Sequence, residues 1–386
     1  MLARLRLLLF AALGGAVTGL VSYWFLEALI WATRTRVEHG WLVWLLPGIG
    51  LTVAGVYFYW GGRAKGGTPA VIEQGNVYTH GVGPGMAPLI FGGSIAGHLG
   101  GASIGREGAA LQIAGSVTDT AATLGRLPRH DRQTLVAASL AGGWGAVFGV
   151  PFTGVLFTLQ VTRHQRWRAL LPALASAWSG YAVVEAFDGD YGVRPHLERP
   201  DWTLWSPFAL ALAGLGFGLM GRLFVAALMA IRNRMGHRVR WPPMRGFVGG
   251  LATLALMGLA GRDYLGLSLP LLGEALSGEQ VDWWVPFLKL LFTVVALGTG
   301  FVGGEVAPLL VIGATFGNAL GPVVHGDRTL LAAVGSCATF ASAASVALTG
   351  VVLATEQFGR HALVPAAIVA VTSRMAAGRP GLYTHH

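Results

Sequence analysis

The chain has 386 residues, of which 53% are hydrophobic and 12% are charged, and its mean hydropathy is +0.58. Soluble domains carry about 25% charged residues, so this composition argues against a soluble enzyme and excludes a disordered chain. The 58 glycines show no collagen-type period, and the single cysteine, Cys337, excludes a disulfide framework. A polytopic helical membrane protein with close backbone contacts is the class that remains.

The net charge of +9 is distributed between apolar stretches and does not form one basic face, which argues against a nucleic-acid partner. Fifteen of the 27 basic residues lie at the amino terminus and in segments 63–65, 126–132, 163–168 and 232–245. Segment 188–201 instead carries four acidic residues. The positive-inside rule therefore predicts that the basic segments and both termini are cytoplasmic and that segment 188–201 is external.

Twelve apolar stretches predict the helices, at residues 7–33, 41–60, 86–103, 109–124, 135–161, 169–187, 204–231, 246–260, 284–300, 306–324, 329–355 and 362–377. The first is too long for a signal peptide and lacks a clear cleavage site, so we predict a membrane helix there. Several stretches are shorter than the roughly 20 residues that a spanning helix needs. Glycine-rich segments 97–101 and 298–304 also interrupt the pattern. Such broken helices leave backbone N–H groups for protein, water or a ligand to satisfy.

Other glycines have a simpler explanation. The pairs Gly15/Gly19 and Gly214/Gly218 have the small-xxx-small spacing that allows two membrane helices to pack closely. We therefore assign these four to packing, and the clusters at 100–108 and 298–304 to function.

Two pairs of motifs suggest an internal duplication. The sequence GREGAALQIAG at 105–115 is matched by GEVAPLLVIG at 304–313, and PFTGVLFTLQ at 151–160 by LTGVVLATE at 348–356. We predict a first membrane repeat at 1–187, an external linker at 188–203 and a second, inverted repeat at 204–386, without a cytosolic regulatory domain. Inverted repeats with discontinuous helices are typical of transporters.

Glu107 is the leading candidate for chemistry, because it begins an apolar helix directly after a glycine-rich break. Free N–H groups and the positive end of the helix dipole make such a terminus an anion site, and Gly105 and Gly108 allow close approach. An ionised Glu107 could occupy that site and leave it on protonation, which would couple a proton to an anion. The alternative, a first-turn acid that only complements the dipole, is costly inside a membrane.

Glu305 stands in the matching break of the second half, before Val306, Ala307 and Pro308. Proline suits the first turn of a helix, so a second anion-binding helix start is predicted there. The carboxylate is interpreted as a protonatable partner or as an acceptor that fixes the loop. The sequence GGTP at 66–69 is either a third helix start facing the anion path or a tight loop.

The remaining polar residues favour structural roles. His98 is expected to be a hydrogen-bonded core residue, and Glu356 is expected to pair with Arg360 one turn later, with Gln160 at the equivalent place in the first half. Tyr383 could reach the anion path, but the residues alone favour a frayed tail. No hydrolase, metalloprotease or nucleotide-binding motif is present, and no cofactor or metal is expected.

These motifs resemble those of the CLC family of anion channels and proton-coupled anion antiporters, over nearly the whole chain. GREG at 105–108 is similar to the motif that carries the family's external gating glutamate, and GGEV at 303–306 is similar to the fluoride/proton antiporter branch. The resemblance implies a homodimer with one pore per subunit, with Glu107 as gate and proton acceptor and Glu305 in proton or fluoride handling. The residues expected to bind the anion are Gly66, Gly67, Arg106, Gly108, Ala109, Val306, Ala307 and Tyr383.

Two features depart from the family's patterns, and a third position separates its branches. GGTP at 66–69 matches neither the chloride branch's GSGIP nor the Asn- or Met-containing version of fluoride exporters. Ala307 stands where fluoride members usually have threonine. Val161 stands where chloride/proton exchangers carry an internal glutamate, as is normal in the fluoride branch.

The main hypothesis is therefore fluoride export by fluoride/proton antiport in a bacterial-type inner membrane, with the lipid bilayer, protons and a second copy as partners. A chloride channel or chloride/proton exchanger is the alternative. A membrane-embedded enzyme using Glu107 or Glu305 as general acid/base is a third hypothesis, for which His98 is the only candidate second group.

Overall fold

The computed structural model describes residues 2–162, 166–192, 195–378 and 381–383. The predicted basic segment 163–168 and external segment 188–201 lie partly outside these ranges, as do both chain termini. Within the described ranges the chain forms sixteen α-helices and three short 3-10 helices, without a strand. This is the all-α, polytopic membrane architecture that the composition predicts.

Eight helices precede the linker. They are α1 (Leu2–Glu38), α2 (Leu46–Trp60), α3 (Gly67–Asn76), α4 (Met86–Gly100), α5 (Glu107–Leu124), α6 (Arg129–Phe148), α7 (Pro151–Val161) and α8 (Arg166–Ala186). Eight follow it: α9 (Ser206–Arg238), α10 (Pro242–Ala260), α11 (Leu269–Ser277), α12 (Val285–Thr299), α13 (Val306–Leu320), α14 (Arg328–Ala344), α15 (Ala347–Phe358) and α16 (Leu363–Ala377). The 3-10 helices are Gly40–Leu45, Gly62–Gly66 and Arg360–Ala362.

Long and short helices follow one another in the same order on both sides of the linker. The longest come first, with 37 residues in α1 and 33 in α9. The fourth helices have 15 residues each, and the seventh have 11 and 12. Packing follows the same order, since α1 lies along α8, α9 lies along α16, and α2 packs against α10.

Two of the apolar stretches each contain two helices. Stretch 135–161 is divided between α6 and α7, where Gly149 is left-handed (φ +57°) and Pro151 opens the next helix. Stretch 329–355 is divided between α14 and α15 at Ser345, which is also left-handed (φ +59°). A left-handed residue ends a helix, and proline fits the first turn of a new one. Helix α11 lies outside every predicted stretch.

The helices that could span a membrane are the first two of each set of eight. Within the described residues, four helices are long and apolar enough to cross a bilayer: Arg4–Glu38, Gly40–Trp60, Ser206–Arg238 and Pro242–Ala260. Helices α7, α12 and α13 are apolar but shorter. Large apolar side chains also lie exposed on the surface, with Leu212 and Leu219 of α9 as examples. In a bilayer, lipid covers such surface.

The helix-packing interpretation of the glycine pairs agrees with the structure. Gly15 and Gly19 lie against α8, and Gly214 and Gly218 lie against α16. A Cβ atom added at Gly15 would be 2.3 Å from the carbonyl oxygen of Ser176, and one added at Gly218 would be 2.3 Å from that of Ser373. These glycines thus let pairs of long helices approach at backbone distance.

Candidate functional site

The two glycine-rich breaks are in direct contact. Gly105 N–H donates to the carbonyl of Gly304 at 2.6 Å, and Gly304 N–H donates to the carbonyl of Gly105 at 2.7 Å. This antiparallel bridge places the first turns of α5 and α13 beside each other. A Cβ atom at Gly304 would lie 2.5 Å from the backbone nitrogen of Gly108, so the contact requires glycine.

Glu107 lies in this contact and is only 3% exposed. Its Oε2 accepts hydrogen bonds from the backbone N–H of Ala307 at 2.9 Å and of Arg106 at 3.2 Å. The Arg106 guanidinium lies 3.4 Å from Oε1 and also donates to the carbonyl of Tyr191 at 2.7 Å. The carboxylate therefore occupies the amino-terminal end of α13, which is a position that favours negative charge.

Glu305 lies on the other side of the Gly108–Gly304 contact. A Cβ atom at Gly108 would be 3.4 Å from Glu305 Oε2. The hydroxyl of Tyr383 donates to Glu305 Oε1, and the Tyr383 ring packs edge-on against Phe157 at 5.7 Å between centroids. Tyr383 is 7% exposed, so the prediction of a frayed tail is wrong here. Ring burial and the hydrogen bond hold this part of the chain against the helices.

A cavity of about 570 Å³ opens on the Glu305 side. Its wall includes Gly66, Gly67 and Thr68 at the start of α3, together with the break that precedes α13. The Thr68 hydroxyl donates to the carbonyl of Gly108 at 3.1 Å, and Gln112 Nε2 lies 3.4 Å from the Thr68 oxygen. From the sequence, GGTP at 66–69 is interpreted either as a helix start or as a tight loop. In the structure it is the start of α3, and Gly67 has a positive φ of +58°.

Glu107 itself borders a much smaller cavity of about 30 Å³. Its lining includes Arg106, Ala307 and the linker residues Tyr191 and Gly192. Glu107 thus lines a narrow space next to residues 191 and 192, while Glu305, across the Gly108–Gly304 contact, lines the wider cavity that carries basic residues.

Two predicted anion-binding residues present no side chain to this site. Ala109 is fully buried in an apolar cluster with Phe25, Leu29 and Ile113. Val306 is fully buried in the main core. Any contribution of these two residues to anion binding comes from their backbone amides.

His98 and Glu356 lie in other hydrogen-bonded positions. His98 is fully buried, and its Nδ1 is 2.8 Å from the carbonyl of Ser94, as expected for a core residue. Glu356 of α15 accepts hydrogen bonds from the backbone N–H groups of Phe152 and Thr153 at the start of α7, at 3.0 and 2.6 Å. The role of Glu356 is thus a cap across two helices, which the predicted pairing with Arg360 did not anticipate.

Lys289 is a buried ion that the sequence interpretation missed. It is fully buried on α12, and its Nζ donates to Ser103 Oγ at 2.8 Å and Ser268 Oγ at 2.9 Å. It also donates to the carbonyls of Tyr264 and Gly266, at 3.2 and 2.7 Å. The signal was available, because a lysine inside apolar stretch 284–300 is unusual in a membrane helix. Its partners lie 21 to 186 positions away, so they could not be read from the sequence.

Fold and site together define a polytopic membrane protein whose broken helices meet at a buried acid. A sequence profile of the family described as "Voltage gated chloride channel" matches residues 49–378. The chain is 36% identical to a "Chloride/fluoride channel protein" of Pseudomonas syringae pv. tomato, over 97% of this chain and 84% of that protein. The chain therefore belongs to this CLC family.

Two further relatives represent different activities by their printed names. The "H(+)/Cl(-) exchange transporter ClcA" of Cronobacter sakazakii is 27% identical over 93% of this chain and 84% of its own length. The solved structure described as "a CLC-type fluoride/proton antiporter" is 27% identical and superposes with a TM-score of 0.93. That alignment covers 98% of this chain and 96% of the other.

Proposed function

We propose that this chain exports fluoride in exchange for protons, and that Glu107 is both the gate and the proton acceptor. The observation that carries the proposal is the hydrogen bond between the Glu107 carboxylate and the Ala307 amide, where the starts of α5 and α13 meet. The relative described as a chloride/fluoride channel protein supports the transported anion, and the solved structure described as a fluoride/proton antiporter supports exchange for protons.

The proposed cycle follows from charge. While ionised, Glu107 occupies the helix start that would otherwise bind an anion. Protonation removes the charge that holds it there, so the side chain leaves and an anion takes its place. On loss of the proton the carboxylate returns and expels the anion. Each passage of an anion is thereby tied to a change in the protonation of Glu107.

The other candidate residues have supporting roles in this proposal. Glu305, with the Tyr383 hydroxyl on its carboxylate, handles the proton or fluoride on the side of the large cavity. The amides and glycines of residues 66–67, 108–109 and 306–307 supply the donors and the space that a bare anion needs, and Arg106 supplies positive charge beside the gate. His98 is held by the Ser94 carbonyl, which favours transport over an acid/base enzyme.

We further propose two inverted halves, residues 1–187 and 204–386, with the 188–203 linker outside and both termini in the cytoplasm of a bacterial-type inner membrane. The repeated order of helix lengths supports the division. The large cavity is lined by Lys65, Arg232 and Arg245, which all come from segments that the positive-inside rule makes cytoplasmic. A dimer of two such chains, each with its own pore, completes the proposal.

Chloride transport is the second candidate, because of the methyl side chain of Ala307. This residue lines the small cavity beside Glu107 and has no hydroxyl to offer an ion. Relatives named as H(+)/Cl(-) exchange transporters also match most of the chain. If the missing hydroxyl limits selectivity, Ala307→Thr will raise the ratio of fluoride to chloride flux.

The test is anion efflux from proteoliposomes that contain the purified chain. Vesicles are loaded with either fluoride or chloride, efflux is recorded with an ion-selective electrode, and proton entry is followed with a pH dye. The proposal expects faster efflux of fluoride than of chloride, with protons moving in the opposite direction. Equal or faster chloride efflux would refute fluoride selectivity. Fluoride efflux without proton entry would refute antiport.

A further inference from the structure

The large cavity carries three basic side chains, and they differ in what they bind. Lys65 Nζ donates to the carbonyl of Phe58 at 2.8 Å, and Arg245 Nε donates to the carbonyl of Val239 at 2.8 Å. Arg232 of α9 also lines the cavity. Among the described residues it has no hydrogen bond and no ion pair within 4.0 Å, so its guanidinium faces the cavity with its donors available.

The packing of α9 explains why Arg232 reaches this cavity. Gly298 lies near the end of α12, where a Cβ atom would be 2.6 Å from Ile231 Cγ2 and 3.7 Å from the backbone nitrogen of Arg232. The missing side chain of Gly298 thus brings α9 against the second break. The break continues along the cavity wall to Glu305, which lines the same cavity as Arg232.

This arrangement places a positive and a negative side chain along one anion path. An ionised Glu305 repels an approaching anion, and a guanidinium in the same cavity offsets that repulsion. Arginine stays charged at any physiological pH and offers several N–H donors to an anion. A cavity of one predominant sign also raises the local concentration of counter-ions. Lys65 and Arg245 add to the positive potential of the cavity. Their N–H donors, however, are partly used in hydrogen bonds to carbonyl oxygens, whereas those of Arg232 remain available to an anion.

We propose that Arg232 is an anion-recruiting residue, which binds the transported small inorganic anion transiently at the entrance of the large cavity, before it passes Glu305. The proposal rests on the proposed transport function and deepens it, since it names where the exported anion first binds. Arg232 is thereby an affinity determinant for anions that enter from the cavity side, and it takes no part in the proton exchange at Glu107.

The experiment measures initial fluoride efflux against the loaded fluoride concentration, at fixed pH and at low and high ionic strength. Arg232→Gln is compared with wild type, with the charge-conserving Arg232→Lys, and with Arg234→Gln. Arg234 is a matched control, because it lies two positions further along α9, is exposed and does not line the cavity. Membrane vesicles of the two opposite orientations distinguish entry from the cavity side from entry at the other face.

At low ionic strength, Arg232→Gln is expected to raise the half-saturating fluoride concentration about three- to tenfold, with little change in the maximal rate. The difference should shrink at high ionic strength, because salt screens a charge that is open to solvent. Arg232→Lys should recover most of the affinity, and Arg234→Gln should behave as wild type. The effect should be confined to vesicles in which fluoride enters from the cavity side.

Two results would overturn the proposal. One is a half-saturating concentration in Arg232→Gln equal to that of Arg234→Gln. The other is an equal fall of the maximal rate in Arg232→Gln and Arg232→Lys in both vesicle orientations, which would make Arg232 a packing residue. Absence of coupled fluoride flux in the wild type would instead refute the proposed function itself, so the two failures are distinguishable.

Discussion

The Glu107 carboxylate accepts a hydrogen bond from the Ala307 amide 2.9 Å away, although 200 positions separate the two residues in the chain. Glutamine at position 107 has nearly the same shape and can still accept this bond, but it cannot gain and lose a proton. We therefore expect Glu107→Gln to uncouple transport: anion flux becomes independent of an imposed pH gradient, and proton entry falls at least tenfold. Simultaneous recording of both ions checks this.

The control for Glu107 is Gln112, a buried polar residue on the same helix that is not proposed to exchange protons. Gln112→Glu adds a carboxyl group near the cavity without touching the gate. It is expected to change the rate and to leave the pH gradient able to drive transport. Full proton coupling in Glu107→Gln would contradict the role assigned to Glu107.

The contact between the two breaks predicts a sharp steric limit at Gly304. A Cβ atom there would lie 2.5 Å from the backbone nitrogen of Gly108, and neither backbone can move without breaking the Gly105–Gly304 bridge. Gly304→Ala should therefore abolish most fluoride flux and lower the thermal stability of the purified protein. Gly92→Ala is the matched control.

At Gly92, on helix α4, an added Cβ atom meets nothing within 4 Å. Alanine there is expected to be neutral or to stabilise the helix by roughly 0.5–1 kcal/mol. Normal flux in both variants would show that the breaks are less tightly packed than described. Loss of flux in both would point to a general effect of the substitution.

The hydroxyl of Tyr383 predicts a functional defect without loss of the ring packing. Tyr383→Phe keeps the ring that packs on Phe157 and removes only the donor to Glu305. Hydrogen bonds to charged groups contribute about 1.5–3 kcal/mol. The loss should therefore appear as a slower fluoride flux, and the flux should no longer respond when Glu305→Gln is added. Independent effects of the two substitutions would show that the residues do not act as a pair.

Glu356 and Gln160 predict a test of capping across the two halves. Glu356 accepts from the backbone of residues 152 and 153 at the start of α7, while Gln160 on α7 accepts from the N–H of Thr349 on α15 at 2.8 Å. Because Gln160 already makes the equivalent bond to Thr349, glutamine can cap such a helix start. Glu356→Gln should therefore retain transport and most of the stability. Glu356→Ala should cost about 0.5–2 kcal/mol, the usual range for a lost cap. A melting series in detergent compares them, and loss of proton coupling in Glu356→Gln would contradict a purely capping role.

The parts of the site that were predicted are those encoded locally. Helix starts at Glu107 and Val306 follow from glycine breaks, proline in the first turn and apolar runs, all within a few residues. The duplication further predicts that the two starts are equivalent. Nothing in those patterns specifies the hydrogen bond from Ala307 to Glu107, because that contact depends on how two distant helices pack.

The features that the sequence did not predict also depend on contacts between distant parts of the chain. The break at Ser345 lacks the glycine that usually marks a left-handed position, so the sequence predicts one continuous helix over stretch 329–355. Tyr383 follows the last apolar stretch and has no periodic pattern, so only the buried ring contact with Phe157 reveals its place. The cap by Glu356 joins residues about 200 positions apart, whereas the predicted pair with Arg360 is a local one.

Lys289 gives the last prediction, because its ammonium group is buried among oxygen atoms. Lys289→Met keeps the length of the side chain and removes every donor, which leaves the hydroxyls of Ser103 and Ser268 and two carbonyls without it. Loss of donors to buried polar groups costs about 1–3 kcal/mol for each group that stays unsatisfied. We expect a clearly lower melting temperature, and a lower flux because Ser103 lies four positions before Glu107.

Lys65→Met is the control, since Lys65 makes an exposed hydrogen bond to a single carbonyl. The melting temperature of this variant should stay close to that of wild type. Equal melting temperatures in the two variants would mean that the Lys289 hydrogen bonds are replaced by water or are not needed to hold the break before Glu107.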